Sequence, residues 1–313
     1  MSGWKIIITD GLSEDGIQFL ASQAQVDDNT GISAPELLDV IADYDAMIVR
    51  GQTRVNAKIL SAAKHLKVVG RAGVGVDNID LAAANQHKII VVNSPLATTR
   101  AVAEHTIALI FALARSIPAA DTSLKSGLWK KSEFMGIEID GKVLGVIGIG
   151  NIGSQLAQLA KALNMQVIGY DPLVSEDMVK QRGAKPVSLQ FLLTQSDFIS
   201  IHVPLSAETR GMINGETFGS MKRGARLIST ARGGIVDETA LLSALESGQV
   251  SAAALDVFTK EPPGMSALVS HPRVIATPHI AAQTEEAQAR AAIDIAKEVF
   301  AALKGDPLRW QIV

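Results

Sequence analysis

Residues 143–153, Val-Leu-Gly-Val-Ile-Gly-Ile-Gly-Asn-Ile-Gly, restrict the fold more than any other stretch of the chain. A short apolar run leads straight into G-x-G-x-x-G, and residues 154–163 continue with helical spacing, so a buried strand has to turn tightly into a helix. Each glycine has a physical task. Gly148 makes the turn, Gly150 lets a pyrophosphate approach the amides of Asn151 and Ile152 at the helix N-terminus, and Gly153 permits close helix–strand packing. The next apolar run, residues 166–170, ends at Asp171. An acid at that spacing accepts hydrogen bonds from the adenosine ribose hydroxyls. The same carboxylate would repel a 2′-phosphate by about 4 kcal/mol per unit-charge pair at ~4 Å and an effective dielectric of about 20. NAD is therefore expected over NADP, and Arg182 stands too far along the chain to be an obvious 2′-phosphate partner, although a loop could fold it back.

Around this segment, β-branched runs alternate with helical patterns. Residues 6–9, 46–49, 67–70 and 89–92 read as buried parallel strands, and residues 13–21, 34–41, 56–63 and 81–86 as crossover helices. Residues 99–117, with Thr98 or Thr99 as N-cap and Pro118 near the end, predict a long connecting helix. The alternation restarts with runs at 143–149, 166–170, 197–201, 226–230, 252–256 and 274–276, six strands for a second doubly wound sheet. Residues 285–303 form an amphipathic helical run that could pack on either sheet. The expected class is α/β, with two doubly wound parallel-sheet domains, which suits 313 residues.

Composition removes several function classes. With 29 Lys and Arg against 32 Asp and Glu, the net charge of −3 argues against broad binding to a phosphate backbone, so no nucleic-acid partner is expected. The absence of cysteine excludes disulfides, thiolate nucleophiles and Cys-ligated zinc, and no metal is expected. No run reaches the ~18 apolar residues of a membrane span, and the N-terminus lacks the pattern of a cleaved signal. A cytoplasmic protein without a membrane partner is the expectation.

Ligands of open parallel sheets sit beyond the carboxyl ends of the strands. Three charged or titratable residues occupy such positions: Arg232 after the run at 226–230, Glu261 after 252–256 and His279 after 274–276. Beside a dinucleotide, a guanidinium can hold a carboxylate, an imidazole can move a hydroxyl proton, and a carboxylate can fix that imidazole's tautomer. Hydride transfer at a 2-hydroxy or 2-keto acid needs that set. Gly70 to Gly75 form a second glycine cluster that lacks a helix directly behind it and is expected to present amides to a substrate.

Seven segments carry a more specific resemblance: GRAGVGVDNIDL (70–81), AEHTIALIFALAR (103–115), GLWKKSEFMGIEIDGKVLGVIGIGNIG (127–153), IGYDP (168–172), ARGGIVDETALLSAL (231–245), ALDVFTKEPP (254–263) and TPHIAAQTEEAQ (277–288). Through them the chain resembles the D-isomer-specific 2-hydroxyacid dehydrogenases. That resemblance implies a Rossmann-type NAD domain, residues 98–284, inserted into a flavodoxin-like substrate domain built from 1–97 and 285–313. It implies Arg232, Glu261 and His279 as the catalytic trio. Val74, His202, Val203, Pro204, Thr230, Ala231 and Asp256 join the glycine turn and Asp171 around NAD. Gly73, Val74 and Gly75 approach the substrate carboxylate. Two positions depart from the common pattern, Ser229 in place of Asn and Val74 in place of Thr. A phosphorylated acid such as 3-phosphoglycerate would need local cations, for which Arg50, Arg71 and, less favoured, Arg54 lie near strand ends. The segment with Trp129, Lys130 and Lys131 is implied to reach a second subunit of a homodimer, with Lys131 near the partner's substrate. The short stretch beyond His279 leaves no room for an added regulatory domain, so feedback through one is not expected. Unphosphorylated acids (glyoxylate, hydroxypyruvate, D-lactate) are the rival substrates, and a non-enzymatic NAD(H)-sensing binding protein is the rival class.

Overall fold

The computed structural model describes residues 3–313 and divides into two compact units, residues up to Thr98 together with Gln283–Val313, and Thr99–Ala282. The first holds five strands: β1 (Lys5–Ile8), β2 (Gln25–Asp28), β3 (Ala46–Val49), β4 (Val68–Arg71) and β5 (Ile90–Asn93). All pair in parallel in the order β2-β1-β3-β4-β5, the flavodoxin-like arrangement. The second holds β6 (Val143–Ile147), β7 (Gln166–Tyr170), β8 (Lys185–Pro186), β9 (Phe198–Ile201), β10 (Ala225–Ser229), β11 (Val250–Leu255) and β12 (Val274–Ala276). Its parallel order, β12-β11-β10-β9-β6-β7-β8, reverses direction between β6 and β9, as a Rossmann sheet does.

Strand periodicity sorts the core onto both faces of each sheet. In β1, Ile7 packs toward helices Ala34–Val40, Ala57–Ala62 and Leu81–Gln86, while Ile6 and Ile8 pack toward Glu285–Lys304. In β6, Leu144 and Val146 join the core with helices Thr99–Arg115 and Asn151–Ala162, whereas Ile147 joins the core with Leu192, Phe218 and Leu241. The C-terminal helix Glu285–Lys304 is capped by Thr284, whose side chain accepts from the Ala287 amide, and stops at left-handed Gly305. It buries Ile295, Val299 and Phe300 in the first unit's core.

Three expectations are corrected. The second sheet has seven strands instead of six, and the first gains β2. Both additions are edge strands, the polar Gln-Val-Asp-Asp and the two-residue Lys-Pro, whose pairing comes from a neighbour's backbone and leaves no apolar signature. The long helix at 99–117 is two helices, Thr99–Arg115 and Ile117–Lys125, broken at Ser116 with φ 50°. Pro118 cannot continue a helix from the preceding turn but fits the first turn of a new one. The Ala114 carbonyl there accepts from the Ile137 amide instead, at 2.9 Å.

Candidate active site

The second unit gathers its polar groups along the carboxyl edge of β6, β9, β10, β11 and β12. Behind β6, Gly148 takes φ 92° and the helix Asn151–Ala162 starts at Gly150 without a side-chain cap, so its first amides remain for an anion. Gly153 lies so close to the turn that a Cβ there would collide with the Gly148 carbonyl oxygen. Asp171, at the end of β7, accepts from the Ile149 amide at 2.8 Å and from the Leu173 amide at 3.0 Å. The chain thus closes the glycine turn with the acid that the sequence assigns to ribose. These groups fit a dinucleotide: a turn that admits no side chain at Gly148 or Gly153 and leaves open space at Gly150, uncapped helical amides, and a carboxylate at its edge.

His202 follows β9 directly against this turn. Its amide donates to the Ile147 carbonyl at 2.7 Å, and its Nε2 pairs with Ser200 Oγ at 2.8 Å. The Nδ1 atom is buried without a partner, and burial pushes the imidazole down to about 4. Val203 and Pro204 continue the same segment, half-buried and exposed.

Beyond β12, His279 Nδ1 lies 2.9 Å from Glu261 Oε2, and Glu261 Oε1 accepts from the Phe258 amide at 3.1 Å. The carboxylate fixes the imidazole so that Nε2 is the nitrogen left for proton exchange. The pair is open to solvent rather than buried, with His279 and Glu261 48% and 39% exposed. His279 also has φ 54°, a left-handed conformation that costs a non-glycine residue about 1–2 kcal/mol.

Asp256 holds that strained loop. It is fully buried, and it accepts from Thr277 Oγ1 at 2.6 Å, the Ile280 amide at 2.9 Å and the Ala281 amide at 2.9 Å. Three hydrogen bonds to one carboxylate, each contributing about 1.5–3 kcal/mol, exceed the cost of the backbone twist. His105 Nε2, from helix Thr99–Arg115, lies 3.7 Å from the same carboxylate. The next helical residue, Thr106, meets Thr230 hydroxyl to hydroxyl at 3.3 Å. One helix therefore backs both the His279 loop and the segment leading to Arg232. No signal of residue type or spacing marks His105 and Thr106 for these contacts.

Arg232 leaves β10 by way of buried Thr230 and Ala231, and its Nη1 donates to the Ala231 carbonyl at 2.7 Å. Its neighbour Gly233 presses on the following loop, where a Cβ would collide with the Phe258 carbonyl oxygen. The Arg232 loop and the Glu261 loop are thereby packed backbone to backbone. Ser229, the residue departing from the common Asn, keeps a buried hydroxyl without a partner.

The first unit has its own polar edge. Asp10 accepts from the amides of Arg50, Gln52 and Thr53 at 2.8, 3.1 and 3.0 Å and from the Thr53 hydroxyl. Arg71 Nε donates to the Arg50 carbonyl at 3.1 Å, and its guanidinium lies over Gly73. Arg50 is half-buried and Arg54 exposed. Asn93 Nδ2 holds the Val74 carbonyl at 2.7 Å, and the Ser94 amide holds that of Gly73 at 3.0 Å, fixing the 73–75 segment. Lys131 is exposed in a short helical turn, Lys131–Phe134. Among the described residues no cluster of His, Asp and Glu could hold a metal ion, and no single helix is long and apolar enough to cross a membrane.

Comparison with known proteins adds to this geometry. Residues 107–281 match the family described as D-isomer specific 2-hydroxyacid dehydrogenase, NAD binding domain. The chain is 47% identical over 305 residues to D-3-phosphoglycerate dehydrogenase of Synechocystis sp., covering 97% of this chain and 55% of that protein. Against the Bacillus subtilis protein of the same name, identity is 44% with 97% and 58% covered. The chain thus spans about half the length of the curated relatives it matches. Among solved structures, the glyoxylate reductase from Paecilomyes thermophila superposes with a TM-score of 0.89 at 29% identity, covering 100% of this chain and 99% of that one. The TT0316 protein from Thermus thermophilus gives a TM-score of 0.89 at 33% identity, with 99% and 100% covered.

Proposed function

Given that the chain belongs to the D-isomer-specific 2-hydroxyacid dehydrogenase family, we propose that it is an NAD-dependent oxidoreductase acting at C2 of a D-2-hydroxy acid, with 3-phosphoglycerate as the preferred substrate and 3-phosphohydroxypyruvate as its oxidised partner. The observation that carries this reading is the His279–Glu261 pair at 2.9 Å on the same sheet edge as Arg232 and the glycine turn. The curated relatives' name, D-3-phosphoglycerate dehydrogenase, supports the choice of acid.

When bound, NAD supplies the hydride acceptor for oxidation and, as NADH, the donor for reduction. The amides of Gly150, Asn151 and Ile152 would hold its pyrophosphate and Asp171 its ribose, with His202, Val203, Pro204, Thr230, Ala231, Asp256 and Val74 beside it. Arg232 binds the α-carboxylate and polarises the C2 oxygen. In oxidation His279 takes the C2 hydroxyl proton on Nε2 as the hydride leaves C2, and Glu261 stabilises the resulting imidazolium. In reduction the proton returns from Nε2 to the carbonyl oxygen. Oxidation therefore needs neutral His279 and reduction needs it protonated, so the two directions follow opposite pH trends through one titration. Gly73, Val74 and Gly75 offer amides to the carboxylate, while Arg50 and Arg71 bind the phosphate. Lys131 adds a cation from a second copy of the chain, for which the exposed Ile117, Leu124, Trp129 and Met135 are the apolar contact surface. On this reading the protein works in the cytoplasm.

An NAD-linked assay with 3-phosphoglycerate, hydroxypyruvate, glyoxylate and D-lactate tests the proposal. The expected result is the highest kcat/KM for 3-phosphoglycerate in the oxidative direction. Preference for glyoxylate would move the substrate to the unphosphorylated acids, and NADH binding without turnover of any acid would make the protein a nucleotide sensor.

A further inference from the structure

We propose that Arg182 is a cofactor-selectivity residue: it places a cation at the adenosine end of the dinucleotide site, so that Asp171 alone keeps 2′-phosphorylated cofactors out. This rests on the cofactor reading above and extends it to how the site chooses between NAD and NADP. The helix Glu176–Gln181 ends at Arg182, whose amide donates to the Met178 carbonyl at 2.9 Å. Gly183, at φ 94°, then reverses the chain. That turn carries a residue remote in sequence back to the glycine loop, where Arg182 Nη1 donates to the Ile149 carbonyl at 2.6 Å.

Asp171 grips the same residue from its other side, accepting the Ile149 amide at 2.8 Å. The amide nitrogen and carbonyl oxygen of one residue are about 3.5 Å apart, so the carboxylate and the guanidinium lie within about 9 Å of each other. No ion pair joins them among the described residues, so neither charge is consumed by the other. The Ile149 carbonyl takes one of the five guanidinium N–H groups, leaving four without an acceptor among the described residues. A planar guanidinium with spare donors suits a phosphate, whereas propping one carbonyl would need a single N–H.

On this reading Asp171 would meet the ribose hydroxyls directly, where its Coulomb repulsion of a 2′-phosphate is strongest because that interaction falls with separation. The intact site therefore selects NAD. Without the carboxylate's charge, the Arg182 guanidinium is left as a cation at Ile149 and the preference turns.

The experiment measures binding by fluorescence titration of NADH and NADPH, and by calorimetry of AMP and adenosine 2′,5′-bisphosphate, with no turnover needed. Asp171→Asn, which keeps an oxygen for the Ile149 amide, is expected to tighten NADPH and adenosine 2′,5′-bisphosphate by about 100-fold while weakening NADH by less than about tenfold. Adding Arg182→Gln should then reverse the gain for the 2′-phosphorylated ligands by about tenfold or more and leave NADH and AMP within about threefold. Equal losses of both classes on Arg182→Gln would make Arg182 a prop for the glycine turn and overturn the proposal. So would an Asp171→Asn protein that binds NADH but gains nothing for NADPH. If the unsubstituted protein bound no NADH, the cofactor reading itself would fall, and this inference with it.

Discussion

The two sheets end in the same device used differently. At the edge of the first unit, Asp10 takes the amides of Arg50, Gln52 and Thr53, so a carboxylate fastens a loop that offers a guanidinium. At the edge of the second, Asp256 takes Thr277, Ile280 and Ala281 and fastens a loop that offers an imidazole. Asp10 is partly exposed and its loop needs no unusual backbone, whereas Asp256 is fully buried and stabilises His279 at φ 54°. A strand-end aspartate can thus fasten a loop of ordinary backbone from a partly exposed position, or a left-handed one from the interior. The first edge should therefore govern substrate affinity and the second turnover.

The strongest way to break this contrast is at the imidazole. His279→Asn should lower kcat by ~10²–10⁴ and leave NADH binding within a few-fold. A near-normal rate in steady-state assays would remove His279 from the chemistry. Asp256→Ala comes next, because it strands three donors in the interior. It should destabilise the fold by about 2–4 kcal/mol and cut kcat by about tenfold or more, read by thermal unfolding beside turnover. If kcat and KM stayed at native values in the folded fraction, the clamp would have no catalytic consequence.

At the other edge, Arg50→Ala and Arg71→Ala should each raise KM for 3-phosphoglycerate by about tenfold with kcat little changed, and spare glyoxylate. Equal losses on both acids would assign these arginines to structure. The smallest effect concerns the second histidine on the second unit's polar edge. His202 stays neutral in the folded protein down to about 4, whereas the unfolded chain protonates it near 6.5. Between these values the unfolded state binds more protons, so stability is full above pH 6.5, falls by about 2–3 kcal/mol as pH drops toward 4, and changes no further from this group below that. His202→Gln should flatten that part of the stability–pH curve in urea melts. An unchanged slope would show that His202 titrates alike in both states.

Much of the architecture was legible from residue types. Apolar β-branched runs marked nearly every central strand, because a strand buried on both faces must be apolar throughout, and the spacing of the fingerprint located the turn behind β6. Arg232, Glu261 and His279 could be singled out because position beyond a strand end is readable once the strands are. Beyond them, residue type was a poor guide: His105 and Thr106 look like ordinary members of an Ala-rich helix, and β2 and β8 look like polar loop.

Sequence by itself thus determined the βα alternation, the glycine turn and the candidate chemistry, all of which depend on local pattern. Tertiary structure alone decided that Asp256 anchors a left-handed His279, that Ser116 splits a helix, and that Arg182 and Asp171 meet at Ile149. Such contacts join groups remote along the chain, and their energy exists only once the backbone has brought donor and acceptor within about 3 Å.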